Sequence, residues 1–423
     1  MAKTIAVGQS GGATAVINDT LAGVIYESQL RKINVRGLQN GLEGGGLHPE
    51  VSRNFIDLTN VPSFLIRGTP GPALGATRMK FNPEKDRDEI EKVKRNMKER
   101  NVECIFLIGG NDSALTVKGY SELGGRGIHI AKTEDNDLPG NDHTPGWGSA
   151  NLTNSEIIRA LEQDIRGYAP RIMSDWKEVY STAPVTVVQT QGRGTGWIAL
   201  GTAFAKINHA GDIDENAAPH LFLIRERAFD ENELLGGVDK EILKRGYCFI
   251  VCNEELVNKE GETLAEVEGI KEREDGFNNV EHSRSGAFNY AEFIARKIKE
   301  KLRVVVGYKK IKETPITPHH IQRSLMRSLI DAQEAFELGR EAVRAFDEGQ
   351  TNISIALQRR EEGYDIFPVR IPLEVVAGKV RLVDKEYIKG IEGPSDKFYK
   401  DFLPLVGGAL AMSHYTTLER LIR

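Results

Sequence analysis

The sequence predicts an α/β protein made of two doubly wound, mostly parallel-sheet domains. Three observations predict it. Short apolar runs alternate with helix-spaced segments from residue 4 to residue 131. Several of these runs end in glycine-bearing turns that open a helix, as at Gly11-Gly12, Gly109-Gly110 and Gly192-Arg193-Gly194. The same strand–turn–helix order then resumes after residue 184. Strands buried on both faces read as continuous apolar runs, and strands alternating with helices argue for a doubly wound sheet. Ligands of such sheets bind beyond the carboxyl ends of the strands, where the glycine turns lie.

The first run, 4–8, is a buried parallel strand; Gln9-Ser10-Gly11-Gly12-Ala13-Thr14 follows, and 15–27 is a helix. Small residues between a strand and a helix N-terminus let backbone N–H groups approach an anion. A second strand is read at 33–37, and an ordered Gly/Pro loop at 68–80 carries Arg78 and Lys80, spaced to grip phosphate oxygens. A charged helix over 84–100 has apolar spacing at Ile90, Val93 and Met97. The strand 102–108 ends in Gly109-Gly110-Asn111-Asp112-Ser113, with helix from Ala114. A strand at 127–131 leads into Lys132-Thr133-Glu134-Asp135-Asn136-Asp137.

The second half reads as a helix at 151–167, a strand at 184–190, Gln191-Gly192-Arg193 opening a helix to about 207, and a strand at 220–224. A helix at 232–244 and a strand at 247–252 come next, the latter followed by Asn253-Glu254-Glu255. Residues 257–286 read as a polar surface excursion, 290–301 as a helix, 303–306 as a strand and 308–312 as a basic segment. A long helix is expected from Pro318-His319-His320 to about 347, then a strand at 351–357 and a mixed tail. Adjacent histidines on a helix point apart, so zinc is not expected there, and a His and an Arg one turn apart suit a phosphate.

A chain of 423 residues is long enough for two or three domains or one large α/β unit. Hydrophobic content of 40% with 28% charged residues is that of a globular protein. A net charge of −5 leaves no basic field for nucleic acid. Three cysteines without a Cys-x-x-Cys pair fit buried thiols in a reducing compartment, and the N-terminus runs straight into a strand. No apolar run approaches the length of a membrane span. A cytoplasmic protein with no signal peptide, membrane partner or nucleic-acid partner is expected.

The segment Lys132–Asp137 organises the rest. Two aspartates two apart in extended chain point the same way. A carboxylate near a cation and another near a hydroxyl supply the base and the charge compensation that phosphoryl transfer needs.

In order along the chain, Ser10-Gly11-Gly12 with Asn18, Gly75-Ala76-Thr77-Arg78, Gly109-Gly110-Asn111-Asp112-Ser113, Thr133-x-Asp135-Asn136-Asp137, Gly192-Arg193, Glu254 and His320-Ile321-Gln322-Arg323 together resemble the phosphofructokinase family in its longer, pyrophosphate-dependent form. The resemblance covers most of the chain and is weakest at 257–315 and the tail. It implies a phosphofructokinase-like pair of domains with the active site between them. Residues 1–148 plus about 321–350 would bind the phosphoryl donor. About 149–320 plus 351–423 would bind the sugar phosphate, with an insertion near 257–286 and a C-terminal extension.

The resemblance also implies roles. Asp135 would be the base, supported by Thr133, Asp137 and Arg193. Gly11, Gly12, Arg78, Lys80, Gly110, Asn111, Asp112, Ser113 and Lys132 would surround pyrophosphate. Gln191, Gly192, Glu254, His320 and Arg323 would bind the sugar phosphate, and Asn111 with Asp135 would hold Mg2+. Members that use ATP have glycine at the positions of Asp112 and Lys132; pyrophosphate-dependent members resemble this chain. A side chain at Asp112 fills the space of a nucleotide α-phosphate, and Lys132 adds positive charge for a donor without a nucleoside.

The chain departs from the family pattern at Asn111, where an aspartate is usual, at Gln191, where Met is usual, and at Pro184, where an arginine is usual. No arginine precedes His320 closely; Lys309, Lys310 and Lys312 are the substitutes at hand. The expected activity is transfer from pyrophosphate to fructose 6-phosphate, giving fructose 1,6-bisphosphate, in a homo-oligomer (dimer or tetramer). The alternatives are a pyrophosphate-dependent kinase of another sugar phosphate or a polyol, and a non-catalytic regulatory subunit on the same fold. A dinucleotide oxidoreductase is excluded because no Gly-x-Gly-x-x-Gly follows the first strand.

Overall fold

The computed structural model describes residues 2–77, 79, 81, 85–168, 182–208, 211–270, 288–305, 310–323, 325–360 and 363–407. Two compact units divide the chain: Met1–Ala150 with Arg323–Arg381 and Pro404–Arg423, and Asn151–Gln322 with Leu382–Leu403.

The first unit is built on an eight-stranded sheet. Its strands are β1 (Thr4–Ser10), β2 (Asn34–Leu38), β3 (Phe55–Asp57), β4 (Ala76–Thr77), β5 (Cys104–Gly109), β6 (Gly127–Ala131), β11 (Ile353–Arg359) and β12 (Ile366–Pro372). The order is β12-β11-β6-β5-β1-β2-β3, with β4 beside the end of β1. Only β3 and β12, at the two edges, run antiparallel to their neighbours. Alternate residues of the central strands feed opposite layers, as the period of two requires. Ile5, Val7, Phe106 and Ile108 pack with helix α1 (Ile17–Leu30) and the helix Leu329–Asp347. Ala6, Ile105 and Leu107 pack on the other face with α2 (Arg87–Glu99) and α3 (Asn111–Glu122). The helix α1 meets the helix Leu329–Asp347 at two glycines: a Cβ at Gly23 would collide with the Phe336 carbonyl, and one at Gly339 with that of Thr20.

The second unit holds a four-stranded, wholly parallel sheet in the order β10-β7-β9-β8, where β7 is Thr182–Thr190, β8 Leu221–Leu223, β9 Cys248–Asn253 and β10 Lys310–Ile316. Val185, Val187, Ile250 and Cys252 form its core with the helices Glu231–Arg245 and Tyr290–Val305.

Several sequence expectations are corrected here. Residues 303–305, read as the start of a strand, finish the helix Tyr290–Val305, whose buried Ile294, Ile298 and Leu302 carry the helical period past the expected end; Val306 lies outside the described residues. The strand is instead β10, overlapping the segment read as basic. It is a sheet edge, where exposed lysines are the usual protection against mispairing. The helix expected from residue 318 starts at Leu329, because Ser328 caps it by accepting from the Asp331 N–H; His319–Arg323 is a separate 3-10 turn. Residues 351–381, assigned by sequence to the second domain, belong to the first, because β11 pairs in parallel with β6. The excursion at 257–286 is described only to 270, where a capping box of Thr263 and Glu266 opens a single helical turn.

Candidate active site

The carboxyl ends of β1, β5 and β6 assemble in the first unit, since the three strands are adjacent and parallel. The loop after β1 folds back with Gly11 at φ 75°, a conformation that glycine adopts without strain. Lys132, one residue past β6, reaches beneath this loop. Its Nζ donates to the carbonyls of Ser10 (3.1 Å) and Gly12 (2.5 Å), and the side chain is only 1% exposed. Burial pushes the ammonium down to about 8, with Glu134, Asp135 and Asp137 pulling the other way. Lys132 thus both ties the loop in place and carries positive charge under it.

Beside it, β5 ends at Gly109, where any Cβ would collide with Ser113 in the first turn of α3. Gly110 is the N-cap of α3, so Asn111, Asp112 and Ser113 form its first turn, where free N–H groups and the helix dipole favour an anion. The Asn111 amide is engaged within the protein: its Oδ1 accepts from the Asp112 N–H (2.8 Å) and its Nδ2 donates to the Lys379 carbonyl (3.3 Å). His129 of β6 joins the strands from below, bonded to the Gly109 carbonyl and Ser354 at 2.8 Å each. Burial lowers its pKa to about 4, so the ring is neutral at pH 7.

The motif Thr133–Asp137 is not the extended stretch expected. It bends at Glu134–Asp135, and Asn136 is left-handed at φ 56°. The outcome still separates the side chains: Glu134 and Asn136 are buried, Asp135 and Asp137 half-buried. Thr133 Oγ1 accepts from the Asp135 N–H (3.1 Å), and Asn136 Oδ1 accepts from the Thr144 N–H (2.9 Å), so the turn is braced from both sides. Asp331 holds the following segment by accepting from the Gly146 and Ser149 N–H groups at 2.9 and 2.8 Å.

Arg323, expected on the sugar phosphate, belongs to this first unit. Its Nε pairs with Glu134 Oε1 at 2.5 Å. Burial opposes the charge on Glu134, but Arg323 and Lys132 outweigh it and hold the carboxyl below its ordinary value. Arg78 and Lys80 lie outside the described residues.

The other expected sugar-phosphate residues meet in the second unit. The chain leaves β7 through Gln191 and Gly192, the latter at φ 114°. The Gly192 N–H donates to Glu254 Oε1 (3.0 Å), just past β9. The Gln191 N–H donates to Gln322 Oε1 (3.3 Å), and Gln191 Nε2 lies 3.2 Å from His320 Nδ1. Gln191 is 6% exposed, and its Oε1 has no hydrogen-bond partner among the described residues. Arg193 is exposed. In the β7–β10 register Lys312 stands opposite Pro184, with its Nζ 3.7 Å from the Tyr168 ring centroid; Lys310 is exposed and Lys309 lies outside the described residues.

Sequence reasoning missed three supporting residues. Glu134 was visible only as an acid at the close of an apolar strand. Asp331 had a signal, the Ser328-x-x-Asp331 capping pattern. His143 had none: it is wholly buried between its chain neighbour Asp142 (2.8 Å) and Glu334 (2.7 Å), and Glu334 lies 191 positions away.

Among the described residues no group of three or more His, Cys, Asp or Glu side chains forms a ready metal site, and no helix is long and apolar enough to cross a membrane. The phosphofructokinase family profile matches residues 4–346. The pyrophosphate–fructose 6-phosphate 1-phosphotransferase of Xanthomonas campestris pv. campestris is 30% identical over 420 residues, covering 96% of this chain and 92% of that protein. The sulfofructose kinase of Alkalicoccus urumqiensis is 27% identical, covering 91% and 92%. The crystal structure of a pyrophosphate-dependent phosphofructokinase from Nitrosospira multiformis superposes with a TM-score of 0.77 at 26% identity, covering 98% of this chain and 94% of that one. A match of this extent, on a chain whose strand ends carry the expected motifs in order, shows that the protein belongs to the phosphofructokinase family.

Proposed function

We propose that this protein transfers a phosphoryl group from pyrophosphate to the 1-hydroxyl of fructose 6-phosphate, giving fructose 1,6-bisphosphate and phosphate. The observation that carries the donor is Lys132, buried under the Ser10–Gly12 loop and bonded to two of its carbonyls. A cation fixed there compensates a compact, highly charged donor, and Asp112 in the first turn of α3 occupies room that a nucleotide would need.

Asp135 takes the proton from the acceptor hydroxyl. The freed oxygen bonds to the nearer phosphorus, the bridging P–O bond of pyrophosphate breaks, and phosphate leaves with the electron pair. Thr133 orients Asp135 through its main-chain N–H. Asp137, Arg193 and the Gly109–Ser113 turn complete the charge pattern around the donor, with Arg78 and Lys80. Gln191, Gly192, Glu254, His320 and Arg323 bind the sugar phosphate.

A bound Mg2+ supplies further compensation of the phosphoryl charge. The residues fit such an ion, because Mg2+ takes one or two carboxylates and completes its shell with water and phosphate oxygens. Asp135 would hold it; Asn111 contributes only by giving up its bond from the Asp112 N–H. All three cysteines are buried thiols, which supports action in a reducing, cytoplasmic compartment. A homo-oligomeric state belongs to the same proposal and is read by light scattering.

One observation favours a second reading of the acceptor. The buried Gln191 Oε1 offers an acceptor to a hydroxyl or other donor that an apolar residue would not. The sulfofructose kinase relative indicates that acceptors vary among similar proteins. The test is initial-rate kinetics with pyrophosphate or ATP against fructose 6-phosphate, sedoheptulose 7-phosphate, sulfofructose and unphosphorylated polyols. Pyrophosphate with fructose 6-phosphate is expected to lead; turnover with ATP equal to that with pyrophosphate would refute the donor assignment.

A further inference from the structure

Glu134 occupies the variable position of the Thr-x-Asp-Asn-Asp motif, and the mechanism above does not use it. It is 3% exposed, an unusual place for an acid. Two cations flank it: Arg323, whose Nε lies 2.5 Å from Glu134 Oε1, and Lys132, whose charge acts on the carboxylate. The pair rests on the first phosphate loop. A Cβ on Gly12 would lie 3.3 Å from the Arg323 Cζ and 3.4 Å from Glu134 Oε1. Glycine at this position therefore leaves just the room that the guanidinium and the carboxylate fill.

We infer that Glu134 is a positioning residue that holds the Arg323 guanidinium against Gly12, so that the arginine meets the sugar phosphate already oriented. An arginine has several rotatable bonds and loses that freedom on binding. A carboxylate paired with the guanidinium restrains its orientation before substrate arrives, so less freedom is lost when a phosphate binds. The pairing also ties Arg323 to the loop that Lys132 supports from below, so one buried anion links the two cations. The inference deepens the proposed function, because it rests on Arg323 as a sugar-phosphate ligand.

The test is a double-mutant cycle with Glu134→Gln and Arg323→Ala, read as kcat and KM separately. Gln keeps the shape and a neutral acceptor but loses the charge. Glu134→Gln is expected to raise KM for fructose 6-phosphate about tenfold with kcat nearly unchanged, and Glu134→Asp to recover part of the loss. In the Arg323→Ala background, Glu134→Gln should add nothing, because Glu134 acts through the arginine. Additive effects, a loss confined to kcat, or a lower KM in Glu134→Gln would overturn the inference; the last would mean that the carboxylate competes with substrate.

If the wild type does not use fructose 6-phosphate, the proposed function fails independently. The same four proteins are then compared by the thermal shift that inorganic phosphate produces. Arg323→Ala should abolish that shift and Glu134→Gln should weaken it. An unchanged shift in Glu134→Gln sinks the inference.

Discussion

Lys132→Met is the most direct probe of donor choice. Methionine keeps the length and apolar stem of the side chain while removing the ammonium and its bonds to Ser10 and Gly12. A hydrogen bond to a charged group is worth about 1.5–3 kcal/mol. For folding, that loss is offset by no longer burying an ammonium that is 1% exposed, so Tm should move by only a few degrees. For pyrophosphate no such offset exists, because the anion meets the loop that the charge supports. One lost interaction of this size is about 10–150-fold in kcat/KM for pyrophosphate. The assay is initial-rate kinetics with Tm measured alongside. The wild type should also lose pyrophosphate use as pH rises through about 8, where the buried ammonium deprotonates. The Met variant should lack that limb. A Met variant with unchanged kcat/KM and the wild-type pH profile would refute the reasoning.

Asp135→Asn keeps size and removes the base; kcat should fall by about 10²–10⁴-fold with KM little changed, and near-normal turnover would remove Asp135 from the mechanism. Gln191→Met removes a buried, unpartnered oxygen and the contact with His320. It should raise the preference for fructose 6-phosphate over hydroxyl-rich alternatives by about tenfold in a kcat/KM ranking, and an unchanged ranking would take Gln191 out of acceptor choice. His143 tests the fold. Burial lowers its pKa, but Glu334 and Asp142 outweigh this and raise it from 6.5 to about 10. A raised histidine contributes stability that is complete below pH 6.5 and lost as pH rises through about 10. His143→Gln should cost about 3–5 kcal/mol at neutral pH by removing the cation beside the buried Glu334, which then keeps the Tyr364 hydroxyl, while Asp142 keeps Arg359. In chemical denaturation the gap should narrow between pH 7 and 10; a gap independent of pH would mean the ring is neutral.

Most of the first unit was legible in the sequence because its signals are local. Apolar runs such as Ile105-Phe106-Leu107-Ile108 are strands wherever they are buried on both faces, and glycine at the strand ends marks where backbone must approach an anion. The turn Gly109–Ser113 and the loop Ser10–Gly12 were legible for the same reason. Residues 303–305 misled because β-branched residues favour strands only weakly, and the helix packed through Ile294, Ile298 and Leu302 continues to Val305. β10 was missed because an edge strand is charged by design, which reads as a loop.

The sequence by itself determined the fold class, the order of the motifs and the identity of the residues at the strand ends, because period, glycine position and side-chain chemistry are properties of neighbours in the chain. Only the tertiary structure decided which of those residues work together. It turned Lys132 under the loop after β1, paired Glu134 with an arginine 189 positions away, placed His143 between two carboxylates, and gave β11 to the first sheet. Each of these depends on a long-range contact between buried charges or strands. A buried charge takes whatever partner the fold brings within reach, and no local pattern in the chain names that partner.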